Sequence, residues 1–223
     1  MTGSETLEPG TRALRPAERR LLSVKARELR SRASAAPRAV RVGVVGTAIL
    51  WLLTLLASED PWLVITAVWI VVGSGLVLWL RWDARKDAAR LRAMAGTAES
   101  ALEADRAEVY DVRARAFAEL EEYEDEGPCY AFDLGDGRIV IVVGQRFYPE
   151  ARFPSLDFSL VHPLDGEGAA VDEWIEKRGP RAEPDRVIPA DVKWEMEIPE
   201  HLSVVRVSLD RLEEILRRRG SRA

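Results

Sequence analysis

Two apolar runs, Val40 to Ala57 and Trp62 to Leu80, uncharged apart from Arg41 at the first one's outer end, are joined only by Ser58, Glu59, Asp60 and Pro61. A helix rising ~1.5 Å per residue needs ~20 residues to cross a ~30 Å hydrocarbon core, and each run approaches that length. A lipid-exposed charge would cost ~2.5 kcal/mol or more, and past Arg41 neither run contains one. The short connection has room for no further element. The runs are therefore expected to form an antiparallel transmembrane hairpin with both chain ends on the same side.

The flanking charge gives the orientation. Arg12, Arg15, Arg19, Arg20, Lys25, Arg27, Arg30, Arg32 and Arg38 precede the first run, Arg41 stands at its outer end, and Arg81, Arg85, Lys86, Arg90 and Arg92 follow the second. The turn offers only Glu59 and Asp60, so the positive-inside rule predicts a multi-pass protein of the inner (plasma) membrane with both termini cytoplasmic. Arg38, Arg41, Arg81, Arg85 and Lys86 are the candidate contacts for anionic lipid headgroups, at ~1 kcal/mol per nearby basic residue. The chain as a whole carries a net charge of -5, with an acidic stretch through Glu119, Glu121, Glu122, Glu124, Asp125 and Glu126. Basic residues that crowd a membrane, without interleaved aromatics downstream, argue against a nucleic-acid partner. Cys129 is the only cysteine, so no intrachain disulfide can form.

The class expected is an α+β membrane protein. Residues 1–38 read as a basic N-terminal segment, disordered through Gly10 and then forming an amphipathic helix on Leu14, Leu21, Leu22 and Leu29. Residues 39–82 form the transmembrane hairpin, and residues 83–126 a long cytoplasmic helical stalk. Ala88, Leu91, Ala95, Ala98, Leu102, Val109, Val112, Ala116 and Tyr123 give the stalk a heptad-like seam, interrupted by Asp105. That seam can pair with the N-terminal helix of its own chain or with another copy in a homo-oligomer.

Gly127-Pro128 ends the stalk and opens a small antiparallel β-rich domain, barrel- or sandwich-like, over residues 127–223. Cys129 to Leu134 and Arg138 to Gly144 flank Gly135-Asp136-Gly137 as a β-hairpin. Ile139 to Val143 is apolar at every position, as in a strand buried on both faces. Leu156 to Leu160, Val192 to Ile198 and His201 to Val207 read as further strands. A terminal helix follows Ser208, with Leu209, Leu212, Ile215 and Leu216 on one face.

The stretch GPCYAFDLGDGRIVIVVGQRFY, followed by FPSLDFSL, resembles a segment of uncharacterised bacterial two-span membrane proteins. In these a helical stalk leads to a small C-terminal β-rich cytoplasmic domain. The resemblance covers Gly127 to about Leu160 and, by architecture, the hairpin. It implies a recurring module and carries over no activity, ligand or functional residue.

Candidate chemistry is sparse. Cys129 with His162 is the only nucleophile and base pairing on offer, and a thiol in a buried strand is ordinarily inert. His162 and His201 lie far apart in sequence without ligand spacing, so no metal, cofactor or catalytic residue is expected. The spans hold only Thr47, Thr54, Thr66 and Ser74 as hydroxyl groups, which is thin for a conducting path. Between two strands, however, Arg146, Phe147, Tyr148 and Phe153 gather where a loop should be polar. They are candidate partner-binding residues, with capping of the domain as the competing role. The expected function is a non-enzymatic scaffold that presents the β-rich domain to an unidentified protein partner. A channel or transporter subunit and an enzyme using Cys129 are the alternatives.

Overall fold

The computed structural model describes residues 5–57 and 62–220; a few helical side chains, those of Arg38 and Arg41 among them, lie outside the described residues. The elements run β1 (Glu5–Thr6), β2 (Gly10–Arg12), α1 (Pro16–Ala57), α2 (Trp62–Ala104), β3 (Arg106–Arg113), β4 (Ala116–Leu120), β5 (Cys129–Asp133) and β6 (Arg138–Val143). They continue with β7 (Asp157–Leu164), β8 (Trp174–Lys177), β9 (Arg186–Ile188), α3 (Ala190–Trp194), β10 (Ser203–Arg206) and α4 (Leu212–Gly220). The chain divides into two compact units, one helical (Leu14–Arg106 with Leu164–Val171) and one built mainly of strands.

In the helical unit α1 packs against α2 in antiparallel fashion. A side chain added at Gly43 would meet Leu80, and one at Gly73 would meet Thr47, so the two helices approach closely midway along the hairpin. At the end away from the turn Leu14 N–H donates to Asp105 Oδ1 at 3.2 Å, and Arg19 reaches the same carboxylate at 2.7 Å. Between them Leu22, Ala26 and Ala33 of α1 and Ala88, Ala95, Ala98 and Ala101 of α2 are buried. These recur at helical spacing, so one stripe of each helix forms the seam. Arg30 and Glu99 pair beside it at 2.5 Å. Ala88, Ala95 and Ala98 of the expected seam thus pack on α1 of the same chain. Leu22 faces α2, while Leu21 remains exposed.

The stalk is shorter than expected. Asp105, at φ 49°, ends α2, and residues 106–120 form β3 and β4 instead of helix. Tyr110 and Val112 are buried while Asp111 and Arg113 are exposed, a period of two that the three- and four-residue steps had masked. Val109, Tyr110 and Val112 are also residues that favour strands. The interruption at Asp105 was the true boundary.

The strand-built unit holds two sheets. One has six strands in the order β1-β10-β6-β5-β4-β9, antiparallel except for β4 with β9; the other has four in the order β2-β3-β7-β8. Its core explains the sequence directly. Tyr130, Phe132, Val140 and Val142 point from β5 and β6 into a cluster with Tyr110, Val112, Phe158 and Leu160 of the second sheet. Cys129, Ala131, Ile139 and Ile141 point the opposite way, to Ile188, Met196 and to Leu212 and Leu216 of α4. The six-stranded sheet is therefore covered on both faces, by the other sheet and by α4, as the unbroken apolar run in β6 requires.

Three further expectations change. Glu5–Thr6 and Gly10–Arg12, read as disordered or helical, are edge strands paired with β10 and β3. β9 had no sequence reading at all. Residues 190–194 form α3 and not a strand: Val192 and Met196 sit four apart and both pack on the α4-side cluster, while Trp194 between them is exposed. The alternation there was coincidental.

Gly127 is required by geometry. Its φ is 86°, and a Cβ there would lie 2.5 Å from Gln145 N. Gly127→Ala is expected to cost ~2 kcal/mol or more in chemical denaturation. An unchanged midpoint would mean that the turn relaxes freely.

Candidate functional site

The loop after β6 does not present the aromatic surface expected of it. Phe147 and Phe153 are interior, packed with Tyr130 and Phe158. Tyr148 is exposed, but its hydroxyl is held by Glu122 at 2.8 Å. Arg146 bonds Asp172 and donates to the Glu173 carbonyl at 2.8 Å. This corrects the partner-binding reading for the two phenylalanines, whose burial outweighs any gain from display. Aromatic and arginine residues in a loop read alike whether they cap a core or face outward.

What Arg146 braces is a cluster absent from the sequence reading. His162 on β7 and His201 ahead of β10 both direct Nε2 at one oxygen, Oε1 of Glu173, at 2.8 and 2.9 Å. The ligand atoms of the three residues lie within 4.8 Å of one another, so these are the residues that could hold a metal ion. The two histidines, far apart in sequence, are thus brought together by the pairing of β7 with β8 and by the loop before β10. Tyr110 lies over His162, ring centroids 5.0 Å apart, and Phe147 stacks on His201 at 5.2 Å.

The hydrogen bonds decide what this cluster does. Val143 N–H donates to Nδ1 of His201 at 3.2 Å. With Nδ1 accepting, neutral His201 carries its proton on Nε2 and donates it to Glu173, leaving no lone pair there for a metal. A ligating histidine instead uses its second nitrogen as a donor. The cluster as built is a carboxylate held by imidazole donors. Burial alone would push the Glu173 carboxyl up, but hydrogen bonds from His162 and His201 and their proximity more than offset it, and the group lies at about 2.

Cys129 is fully buried in the α4-side cluster, and burial pushes its thiol up to about 12, against a smaller pull from Lys193. His162 is engaged with Glu173. A thiol so placed is neutral and inaccessible, and the structure joins it to no base.

The helical unit has a different character toward its turn. Among the described residues one helix is long and apolar enough to cross a membrane, within Thr66–Ala104, and Val42–Thr54 is a shorter apolar stretch. Only 6% of the apolar window is buried. Val42, Ile49, Leu53 and Leu56 of α1 and Val68, Val71, Leu78 and Trp79 of α2 are all exposed. Thr47, Thr54 and Ser74 turn their hydroxyls onto the carbonyls of Gly43, Leu50 and Val71, at 2.9, 2.8 and 3.1 Å. Arg81, Arg85 and Lys86 are exposed beyond the apolar stretch, with the Lys86 ammonium 3.7 Å from the centre of the Trp82 ring. Arg38 and Arg41 have side chains outside the described residues. No family model, curated protein or solved structure matches the chain.

Proposed function

We propose that the helical hairpin is a two-span membrane anchor and that the strand-built unit is a non-enzymatic interaction module carried on its cytoplasmic side. The observation that carries this reading is the exposure of the apolar half of the hairpin. An apolar helix in the core of a soluble protein is mostly covered, whereas here only 6% of the window is buried. Each large aliphatic side chain left in water forgoes ~1.5–3 kcal/mol, so a row of them on both helices favours a lipid environment.

The flanks fit the same reading. Exposed Arg81, Arg85 and Lys86 stand where anionic headgroups would meet the second span, and Trp82 beside them suits the interface. Thr47, Thr54 and Ser74 satisfy their hydroxyls on their own helices, which favours an anchor over a polar conduction path. The inaccessible Cys129 thiol favours a non-enzymatic role over thiol catalysis. Full-length protein made in bacterial cells should remain in the membrane pellet through high salt and alkaline carbonate, and release by either treatment would overturn the anchor.

A further inference from the structure

The strand-built unit buries its phenylalanines and Tyr130, while Tyr123, Tyr148 and Trp194 are exposed. Phe117, Tyr130, Phe132, Phe147, Phe153 and Phe158 are 1% exposed or less, yet Trp194, at the end of α3, is 68% exposed. Tyr123, from the turn after β4, lies against it, ring centroids 4.5 Å apart at an interplanar angle of 38°. The two rings wall a cleft of about 540 Å³ that Glu124, Asp125, Glu126 and Lys193 also line.

The charges in this cleft are not balanced. Lys193 is buried and bonds Glu126, whose carboxylate also accepts from Tyr123 N–H at 3.1 Å. That pair neutralises itself. Glu124 and Asp125 line the same cleft and form no salt bridge among the described residues. Aromatic faces attract cations through the ring quadrupole, and carboxylates at the rim add directional charge. Tryptophan and tyrosine in a surface cleft are also the residue types that carry most of the energy at protein interfaces.

We propose that this cleft docks a lysine- or arginine-bearing segment of a protein partner, the cation seated on the Tyr123 and Trp194 rings and paired with Glu124 or Asp125. A bilayer would use the aromatics alone, because uncompensated carboxylates repel anionic headgroups. The site lies wholly within the strand-built unit, so its failure is read separately from that of the anchor.

The test uses full-length protein in phosphatidylcholine nanodiscs and a fluorescein-labelled peptide of alternating arginine and glycine, followed by anisotropy. Saturable binding is expected, weakened ~10-fold by Trp194→Ala and by Glu124→Gln with Asp125→Asn, and largely kept by Trp194→Phe. Glu167→Gln with Glu183→Gln, the same change of charge at exposed positions elsewhere, should leave it unchanged. A thermal melt matching the parent confirms that the Trp194→Ala protein is folded. Binding indifferent to Trp194→Ala, or lost equally in the charge control, would overturn the proposal in favour of diffuse attraction. Quenching of Trp194 emission by brominated lipid, read as the difference from Trp194→Phe, would overturn it in favour of bilayer contact.

Discussion

Replacing residues 42–80 with a short glycine-serine loop is expected to turn a membrane-retained protein into a freely soluble one. The helices are close enough there to be rejoined, since a Cβ at Gly43 would lie 3.0 Å from Leu80. What remains is the polar half of the hairpin, whose seam of Leu22, Ala26 and Ala33 against Ala88, Ala95 and Ala98 is buried without any help from the apolar half. The strand-built unit loses none of its own residues and should melt as before. Fractionation in high salt with a circular-dichroism melt reads both outcomes. A shortened protein that still pellets with membranes would place the anchoring elsewhere.

Glu173→Ala should cost roughly 2–4 kcal/mol at neutral pH, because it strands the His162 and His201 donors in a partly buried site. It should also change the acid limb. In the folded protein the carboxyl lies at about 2, below its ordinary 4.5, so its ionised form favours folding. That contribution is complete above about 4.5 and is lost as pH falls toward about 2, where the folded form must also take up the proton. Asp111 and Glu126 are also held low, by Ser159 and Lys193 respectively against the cost of burial, so some acid sensitivity remains in the variant. The expected result is a shallower fall in denaturation free energy over that interval. Parallel curves for parent and variant would show that the cluster does not couple to folding.

The parts legible in the sequence are those where one period dominates. Ile139 to Val143 announced a strand covered on both faces, and the glycines around Asp136 announced its hairpin. Leu212 and Leu216 named the buried face of the last helix. Elsewhere two periods overlapped. Val109 and Val112 fit a heptad step as well as a strand, and only long-range pairing of β2 with β3 settles which wins. Two- and three-residue edge strands such as β1 and β2 carry too few residues to show a pattern. The cluster on Glu173 was invisible for a related reason: its members come from β7, the entry to β8 and the loop before β10, so no spacing links them. Tyr123 and Trp194 likewise meet only through the fold, and Trp194 sits in a stretch that alternates like a strand yet folds as α3.

The proposed two-span hairpin with the strand-built unit on the cytoplasmic side is tested most directly by labelling of added cysteines. Cys129 supplies a silent background, being buried with its thiol held neutral up to about 12. One variant adds Asp60→Cys in the connection between the spans, the other Glu183→Cys at an exposed position of the strand-built unit. In intact bacterial cells a membrane-impermeant maleimide should label the first and not the second, and after lysis it should label both. Labelling of Glu183→Cys in intact cells, or of Asp60→Cys only after lysis, would contradict the account.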